Sequence, residues 1–384
     1  MTDGTTVLLT GFPGFLGSAL VERLLDRHGS ADRLLLLVQS HYREAAERRR
    51  ADLLDGAATA DGDGDLPTVD LVEGDITDPD LGLPDHEAVA RETSLVYHLA
   101  AVYDLGVDRD LAEAVNVDGT RHVLDLCRAA AAAGGFDRLH YVSTCYVSGR
   151  YDGVFTGEML AEAGPFNNHY EATKHRAEVL VREAMAGDEG DDGDGGDDGL
   201  PATVYRPAIA VGDSATGETQ KYDGPYYLLS LVRRQHRVAV VPRLGDPRAT
   251  TLNLVPRDYV VDAVEALSGM SGTVGGTYQL CDPNPPTIAE LYRAFGRATG
   301  RRILPVPTHP RLAKAACSAP LLGDLLDLEP ETIPYLTHPT EYADGATRRA
   351  LAGTGVAPPA FGSYVDRLVA YVRDHPEVTP DAMT

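Results

Sequence analysis

The chain has few cysteines, no long apolar run and a shortage of positive charge. Its four cysteines, Cys127, Cys145, Cys281 and Cys317, are far apart and form no C-x-x-C pair. That pattern argues against a zinc site or a disulfide framework and fits a reduced, cytoplasmic setting. No run of about 18 apolar residues occurs, and the N-terminus lacks a basic stretch followed by a long apolar one. Neither a membrane span nor a secretory leader is therefore expected. Lys and Arg number 34 against 58 Asp and Glu, a formal net charge of −24. A surface so acidic repels nucleic acid and anionic membrane, and neither is expected as a partner.

The acidic excess is widely spread, with concentrations at DGDGD (Asp61 to Asp65) and GDEGDDGDGGDDG (Gly187 to Gly199). Glycine and acid with nothing apolar cannot bury a core, so both runs read as mobile surface loops. The second lacks the fixed alternation and terminal glutamate of a calcium loop, and no metal is expected. The composition resembles that of cytosolic proteins from salt-in halophiles, whose carboxylates keep the surface hydrated.

With 384 residues the chain can hold one large α/β domain with a smaller lobe, or two domains. Near its start, VLL (Val7 to Leu9) runs into TGFPGFLGSALVERLL (Thr10 to Leu25), where Phe15, Leu16, Leu20, Leu24 and Leu25 have helical spacing. Strand, glycine turn and helix in that order form a phosphate-binding unit. Gly11 makes the turn, Gly14 lets backbone approach a pyrophosphate, Gly17 lets helix pack on strand, and the helix N-terminus offers unpaired N–H groups. The spacing is G-x-x-G-x-x-G, and the next apolar run, RLLLLVQ, ends at neutral Gln39. An acid there would hold the ribose 2′-hydroxyl of NAD, and an arginine nearby would accommodate the 2′-phosphate of NADP. Ser40 can donate, and Arg43, Arg48, Arg49 and Arg50 follow. NADP(H) is therefore expected over NAD(H).

Strand and helix patterns then alternate: strands at Val69 to Thr77, Leu95 to Ala101, Arg138 to Gly149 and Ala202 to Gly212, and helices over AVNVDGTRHVLDLCRAAAAAG and YEATKHRAEVLVREAMA. This order predicts a doubly wound α/β parallel sheet, a Rossmann fold, over 1–212. A smaller, discontinuous C-terminal substrate lobe covers 213–384, with a segment near 250–265 returning to the first domain. Ligands bind at the carboxyl ends of such strands, where the chemistry-bearing residues fall. Tyr170 and Lys174 in YEATK are four apart, so on a helix they share a face. A neighbouring ammonium favours the phenolate and lowers the pKa of a tyrosine, making it a usable acid–base group. Thr144, beside Ser143, can place a hydroxyl against a substrate carbonyl oxygen.

The motifs TGFPGFLG, GDIT, HLAA, NVDGT, VSTCYV, YEATK and YRPAIAVG stand in one order over roughly residues 5 to 265. In this the chain resembles the extended short-chain dehydrogenase/reductase family. By that resemblance Thr10, Gly11, Gly14, Phe15, Leu16 and Gly17 hold the pyrophosphate, Gln39 and Arg43 the ribose end, and Asp75 and Ile76 adenine. Leu99, Ala100 and Ala101 line the ribose side, and Pro207, Ala208 and Ile209 approach the nicotinamide. Asn116 is the structural and relay asparagine, Thr144 the hydroxyl, Tyr170 the acid–base and Lys174 its partner and a ribose contact. His98 is expected to pack without chemistry. LLLLVQ, GDITDPDLGL, FNNHYEATKHRAEVLV and YRPAIAVGDSATGETQKYDGPYYLL resemble the fatty acyl-CoA reductase and thioester reductase branch, including carboxylic acid reductase domains, although Gln39 replaces that branch's usual arginine. The resemblance implies NAD(P)H-dependent reduction of a carbonyl or acyl thioester, with the acyl group arriving free or on a separate carrier. A sugar-nucleotide epimerase or dehydratase and a non-catalytic cofactor-bound regulator are the alternatives, and a homodimer is a conceivable assembly. Tyr226 and Tyr227, and Leu321, Leu322, Leu325 and Leu326, are candidates to line the substrate pocket or to pack the lobe.

Overall fold

In the computed structural model, which describes residues 4–60, 66–187, 199–317 and 330–378, the first apolar run forms β1 (Thr6–Thr10) and the helix behind the glycine turn forms α1 (Phe15–Arg27). The run at 61–65, most of that at 187–199, and Leu321, Leu322, Leu325 and Leu326 lie outside the described residues. The chain continues through β2 (Arg33–Val38), α2 (Arg43–Ala60), β3 (Thr68–Glu73), α3 (His86–Glu92), β4 (Leu95–His98), α4 (Arg109–Ala112) and α5 (Gly119–Ala133). Next come β5 (Arg138–Val142), β6 (Gly153–Phe155), α6 (His169–Ala186), β7 (Ala202–Pro207) and β8 (Ile209–Val211). The remainder holds α7 (Pro225–Arg234), β9 (Val238–Arg243), β10 (Leu254–Pro256), α8 (Arg257–Ser268), β11 (Thr277–Leu280), α9 (Ile288–Thr299) and β12 (Arg302–Pro307). It ends with α10 (Pro310–Cys317), β13 (Thr340–Tyr342), α11 (Gly345–Ala350) and α12 (Phe361–Asp374).

Seven strands form one parallel sheet in the order β11-β7-β5-β4-β1-β2-β3. RLLLLV can be apolar throughout because both faces are covered. Leu34, Leu36 and Val38 join Val7 and Leu9 beneath α1 and α8, while Leu35 and Leu37 join Leu8 beneath α5 and α6. The strand order reverses between β1 and β4: β1 lies between β2 and β4 and pairs with both in parallel, Val7 standing opposite Leu34 on one side and Leu95 on the other. In a doubly wound sheet a crevice opens at the carboxyl ends beside such a reversal. The architecture is that of a Rossmann fold.

Several boundaries differ from the sequence reading. The strand read over Arg138 to Gly149 stops at Val142, and Cys145–Ser148 form a 3₁₀ turn capped by Thr144, whose hydroxyl accepts from the Tyr146 amide. The strand read over Ala202 to Gly212 breaks after Pro207: the Ala208 amide bonds Leu280 O in the main sheet, whereas Ile209 turns to Asn253 O and β8 pairs with β10 instead. The long helix through NVDGT opens with a π turn over Glu113–Asp118, where the Asn116 side chain is drawn inward. The seventh strand, β11, had no counterpart in that reading.

α8 packs in the same core as α1, and Arg23 Nε donates to Asp262 Oδ1 at 2.6 Å across them. The lobe has its own core, built from Leu229 and Val232 of α7, Leu291 and Phe295 of α9, and Tyr364 and Leu368 of α12. Besides β8–β10 it contains the parallel pairs β9–β12 and β6–β13.

Candidate active site

The glycine turn is shaped by its own backbone. Gly11 has a φ of +93°, and a Cβ there would stand 2.8 Å from the Ala100 nitrogen. A Cβ on Gly14 or Gly17 would lie 2.8 Å or 2.2 Å from Gly11 O. Gly14 thus serves the turn itself as well as any ligand, a second reason for glycine that spacing did not reveal. Behind it α1 starts with no acidic residue in its first turn and no side-chain cap. Its leading amides open on a cavity of about 560 Å³ that runs along the carboxyl ends of β1, β4, β5 and β7.

That cavity is lined by Thr10, Gly11, Gly14, Phe15, Leu16 and Gly17 at one wall and by Gln39, Asp75 and Ile76 at one end. Leu99, Ala100 and Ala101 follow, then Thr144, Tyr170, Lys174, Pro207, Ala208 and Ile209. Two anticipated residues are not brought to it. Arg43 stands outside: its Nε donates to Glu47 at 3.1 Å and it lies 3.7 Å from Glu73, because α2 begins at Arg43 and turns its side chain along the helix surface. Asn116 lies behind the wall, its Oδ1 accepting from Val102 N and its Nδ2 donating to Val102 O and to Thr173 Oγ1 at 2.9 Å, so it ties the β4 loop to α6.

At the ribose end Gln39 Nε2 donates to Asp75 Oδ2 at 2.7 Å, and Thr77 donates twice to Asp75 Oδ1. Burial works to raise the Asp75 pKa, but these hydrogen bonds hold it below the usual range. Near the strand ends, Thr10 Oγ1 accepts from Ala100 N and lies 2.8 Å from His98 Nδ1. Thr120 Oγ1 gives its proton to the Asn116 carbonyl, so it accepts from His98 Nε2 at 3.0 Å, and His98 Nδ1 accepts from Thr10. Burial and the Lys174 charge press the His98 pKa down to about 3. His98 is a neutral packed histidine with both nitrogens engaged.

The Tyr170–Lys174 pair departs from expectation in one respect. Both side chains reach the cavity from α6, which Asn168 caps by accepting from Glu171 N. Yet burial pushes the Tyr170 phenol up to about 12, against a hydrogen bond from Thr144, with Glu171 and Asp223 raising it further. The ammonium that was to lower it is bound elsewhere: Lys174 Nζ donates to Tyr141 OH and to Val142 O, each at 2.9 Å. Burial brings Lys174 itself down to about 7, with the Glu178 charge opposing. The tyrosine is therefore a firmly protonated acid.

Beneath this pair a buried carboxylate fixes the strand ends. Glu178 accepts from Arg206 Nε and Nη2, from Arg182 Nε and from Ser143 Oγ at 2.6 Å. Glu171, also buried, accepts from Tyr335 OH at 2.6 Å, which pins the lobe against α6. The lobe contributes Lys221, Asp223, Tyr227, Tyr335 and Leu336 to the cavity, and Tyr103 joins them from the β4 loop. Lys221, Asp223 and Tyr227 lie in the stretch YRPAIAVGDSATGETQKYDGPYYLL, where of the three the sequence singles out only Tyr227, and Tyr103, Tyr335 and Leu336 carried no signal. Of the tyrosine pair only Tyr227 lines the cavity; Tyr226 is buried in the lobe, its hydroxyl accepting from Gly212 N.

These residues fit a nicotinamide dinucleotide: a glycine turn and the leading amides of α1 for its phosphates, a hydrogen-bonding end for its adenosine, and Thr144, Tyr170 and Lys174 at the other. Fold and site define an NAD(P)-dependent oxidoreductase of the extended short-chain type. The sequence profile of the family described as male sterility protein matches residues 9–264, and the chain belongs to that family. The chain is 28% identical over 323 residues to the glycine betaine reductase ATRR of Emericella nidulans, a match that covers 81% of this chain and 23% of that protein. Among solved structures it is similar to the terminal R domain from the myxalamid PKS-NRPS biosynthetic pathway, at 27% identity and a TM-score of 0.77, covering 98% and 92% of the two chains. A UDP-glucuronic acid 4-epimerase from Bacillus cereus in complex with NAD, 16% identical with a TM-score of 0.64 and covering 99% of each chain, shares the fold.

Proposed function

We infer that the protein reduces an acyl thioester to an aldehyde at the expense of a nicotinamide dinucleotide. The observation that carries this reading is the convergence of Thr144, Tyr170 and Lys174 on one cavity whose far wall is the amide-lined glycine turn. Bound there, the dinucleotide supplies hydride. The chain supplies everything else. The α1 amides hold the phosphates, Gln39 and Asp75 meet the adenosine, and Lys174 hydrogen-bonds the ribose beside the nicotinamide. Thr144 and Tyr170 donate to the carbonyl oxygen, and Tyr170 delivers the proton that oxygen needs. A phenol held at about 12 is fully protonated at neutral pH and ready for that transfer. The hemithioacetal so formed collapses to an aldehyde and a free thiol, and Asn116 keeps the β4 loop and α6 in register throughout. The names of the relatives, a reductase and a terminal R domain, support the same chemistry.

NADPH is the proposed donor. His41 lines the ribose end, and the pairs that hold Arg43 to Glu47 and Glu73 are exposed. Pairs of that kind hold about 0–1 kcal/mol and do not keep Arg43 from a 2′-phosphate. The soluble, cytoplasmic setting is part of the proposal; no helix among the described residues is long and apolar enough to cross a membrane. The test is oxidation of NADPH and NADH against acyl thioesters, aldehydes and nucleotide sugars in molar KCl. Thioester-dependent oxidation, faster with NADPH, is the expected result. Turnover of nucleotide sugars alone would replace the reading with an epimerase or dehydratase, and turnover of none with a non-catalytic one.

A further inference from the structure

Reduction of a thioester needs one more proton donor than the Tyr170–Lys174 pair provides. The reaction consumes a hydride and a proton, and the proton ends on sulfur. Tyr170 does not supply it. The phenol lends its proton to the carbonyl oxygen as the hemithioacetal forms, and the phenolate takes that proton back when the hemithioacetal hydroxyl becomes the aldehyde carbonyl. A group that accepts a proton in this step does not donate one in it. The departing sulfur of an alkyl thiol, with a pKa of about 8.5 for a thiol such as that of cysteine, holds a proton at neutral pH. Its departure inside a cavity calls for a second acid.

The lobe holds one. Among the described residues that line the cavity, the basic side chains are Lys174, Lys221 and, at the ribose end, His41. Lys174 Nζ donates to Tyr141 OH and to Val142 O on β5. Lys221 comes from the loop between β8 and α7, which Thr219 braces by donating from Oγ1 to Lys221 O. At 7% exposure it is buried as lysines are only when paired, and two other lining residues hold its ammonium. Nζ stands 3.5 Å from Asp223 Oδ2 and 4.7 Å from the centroid of the Tyr103 ring. Asp223 links this group to the acid on α6. Burial first, and then the charge of Asp223, raise the Tyr103 phenol, and the same carboxylate is among the charges that raise Tyr170. Lys221, Asp223, Tyr103 and Tyr170 therefore face one stretch of the cavity.

We propose that Lys221 is a catalytic acid that protonates the leaving sulfur, with Asp223 as the residue that positions it. The role rests on the thioester reading, whose second step it completes. The hemithioacetal O–H gives its proton to the Tyr170 phenolate, and the carbonyl forms. The C–S bond breaks with its electron pair going to sulfur, and sulfur takes a proton from Lys221 Nζ. Water then returns a proton to the amine, and the aldehyde and the thiol leave. Asp223 carries the counter-charge and aims the ammonium, while Tyr103 covers its other side. A pair that only braced the loop would serve every substrate alike, whatever its leaving group.

The measurement is nicotinamide oxidation in molar KCl, with NADPH and NADH both supplied, on two probes that share an acyl group and differ in what leaves. Octanoyl-N-acetylcysteamine releases an alkyl thiol that needs a proton. The octanoyl ester of thiophenol releases a thiol acidic enough to depart as its anion. In Lys221→Met the rate with the first should fall about 10²-fold, the lower end of what a positioned acid contributes, and the rate with the second by less than about threefold. Lys221→Arg keeps the charge but holds its protons too tightly to give one up, and it should resemble the methionine variant. Near-UV circular dichroism reports the fold. Should Lys221→Met unfold with Asp223 left unpaired, the double variant Lys221→Met, Asp223→Asn removes both charges and is held to the same outcomes. Equal losses with the two probes, no loss with either, or recovery in the arginine variant would overturn the proposal. A wild type that reduces neither probe would instead remove the thioester reading, and Lys221 would have no leaving sulfur to protonate.

Discussion

At the scale of single residues, the site is a half-buried phenol and a buried ammonium that make no hydrogen bond to each other. Tyr170→Phe should cut turnover by about 10²–10⁴-fold, the usual worth of a positioned acid. NADPH affinity should stay nearly unchanged, because the phosphates are held at the α1 turn. Full activity in that variant would end the reductase reading. Lys174 offers a sharper test. Burial holds it at about 7, below the usual lysine range. From pH 7 up to that range the unfolded chain therefore keeps a proton that the folded protein has released, and stability rises with pH across the window. The contribution is adverse below pH 7 and is relieved above it. Lys174→Met lacks this dependence, so between pH 7 and pH 9 the wild type should gain on the variant by about 2 kcal/mol. Urea unfolding of both proteins at the two pH values measures the gain, and parallel curves would contradict the buried ammonium. The same variant should lose both turnover and NADPH affinity.

At the scale of elements, the active-site ends of β5, β7 and α6 are held by Glu178, whose side chain and that of Arg206 are fully buried. The network draws the Glu178 pKa down although burial opposes it, chiefly through the Arg206 charge. Glu178→Gln leaves a buried guanidinium without its counter-charge and should cost about 3–5 kcal/mol in urea unfolding. Pairing it with Arg206→Met should restore part of that stability. A Glu178→Gln protein as stable as the wild type would show that the carboxylate is dispensable. None of this was legible in the sequence, since Glu178 reads as one more polar residue on a helix and its partner Arg206 stands in the motif YRPAIAVG with no role read for it. What was legible is local: the glycine turn between β1 and α1, the i, i+4 pair of Tyr170 and Lys174, and the apolar run RLLLLV. What was not legible depends on distant chain. Tyr335 reaches Glu171 across 164 positions, Lys174 finds Tyr141 and the Val142 carbonyl on β5, and Arg43 finds Glu73 on β3. Spacing along one helix or one strand carries no information about such partners.

At the scale of the whole molecule, charge is the governing quantity. The net value is −24, with 58 Asp and Glu against 34 Lys and Arg. Carboxylates crowded onto a folded surface repel one another over the Debye length, about 30 Å at 0.01 M salt and about 3 Å at 1 M. Folding brings them together and unfolding relieves them, so low ionic strength should weaken the folded state and molar salt should restore it. The surface ion pairs, Arg33 with Asp70 and Arg128 with Asp125 among them, are screened by the same salt. Each is worth about 0–1 kcal/mol, and their loss does not offset relief of so large an excess. The melting temperature should therefore climb between 0.05 M and 2 M KCl, consistent with a halophilic composition. A melting temperature that stays flat or falls over that range would sink the halophilic reading. The cavity and its Thr144, Tyr170 and Lys174 would be untouched by that outcome, because their chemistry is set by buried neighbours that bulk salt does not reach.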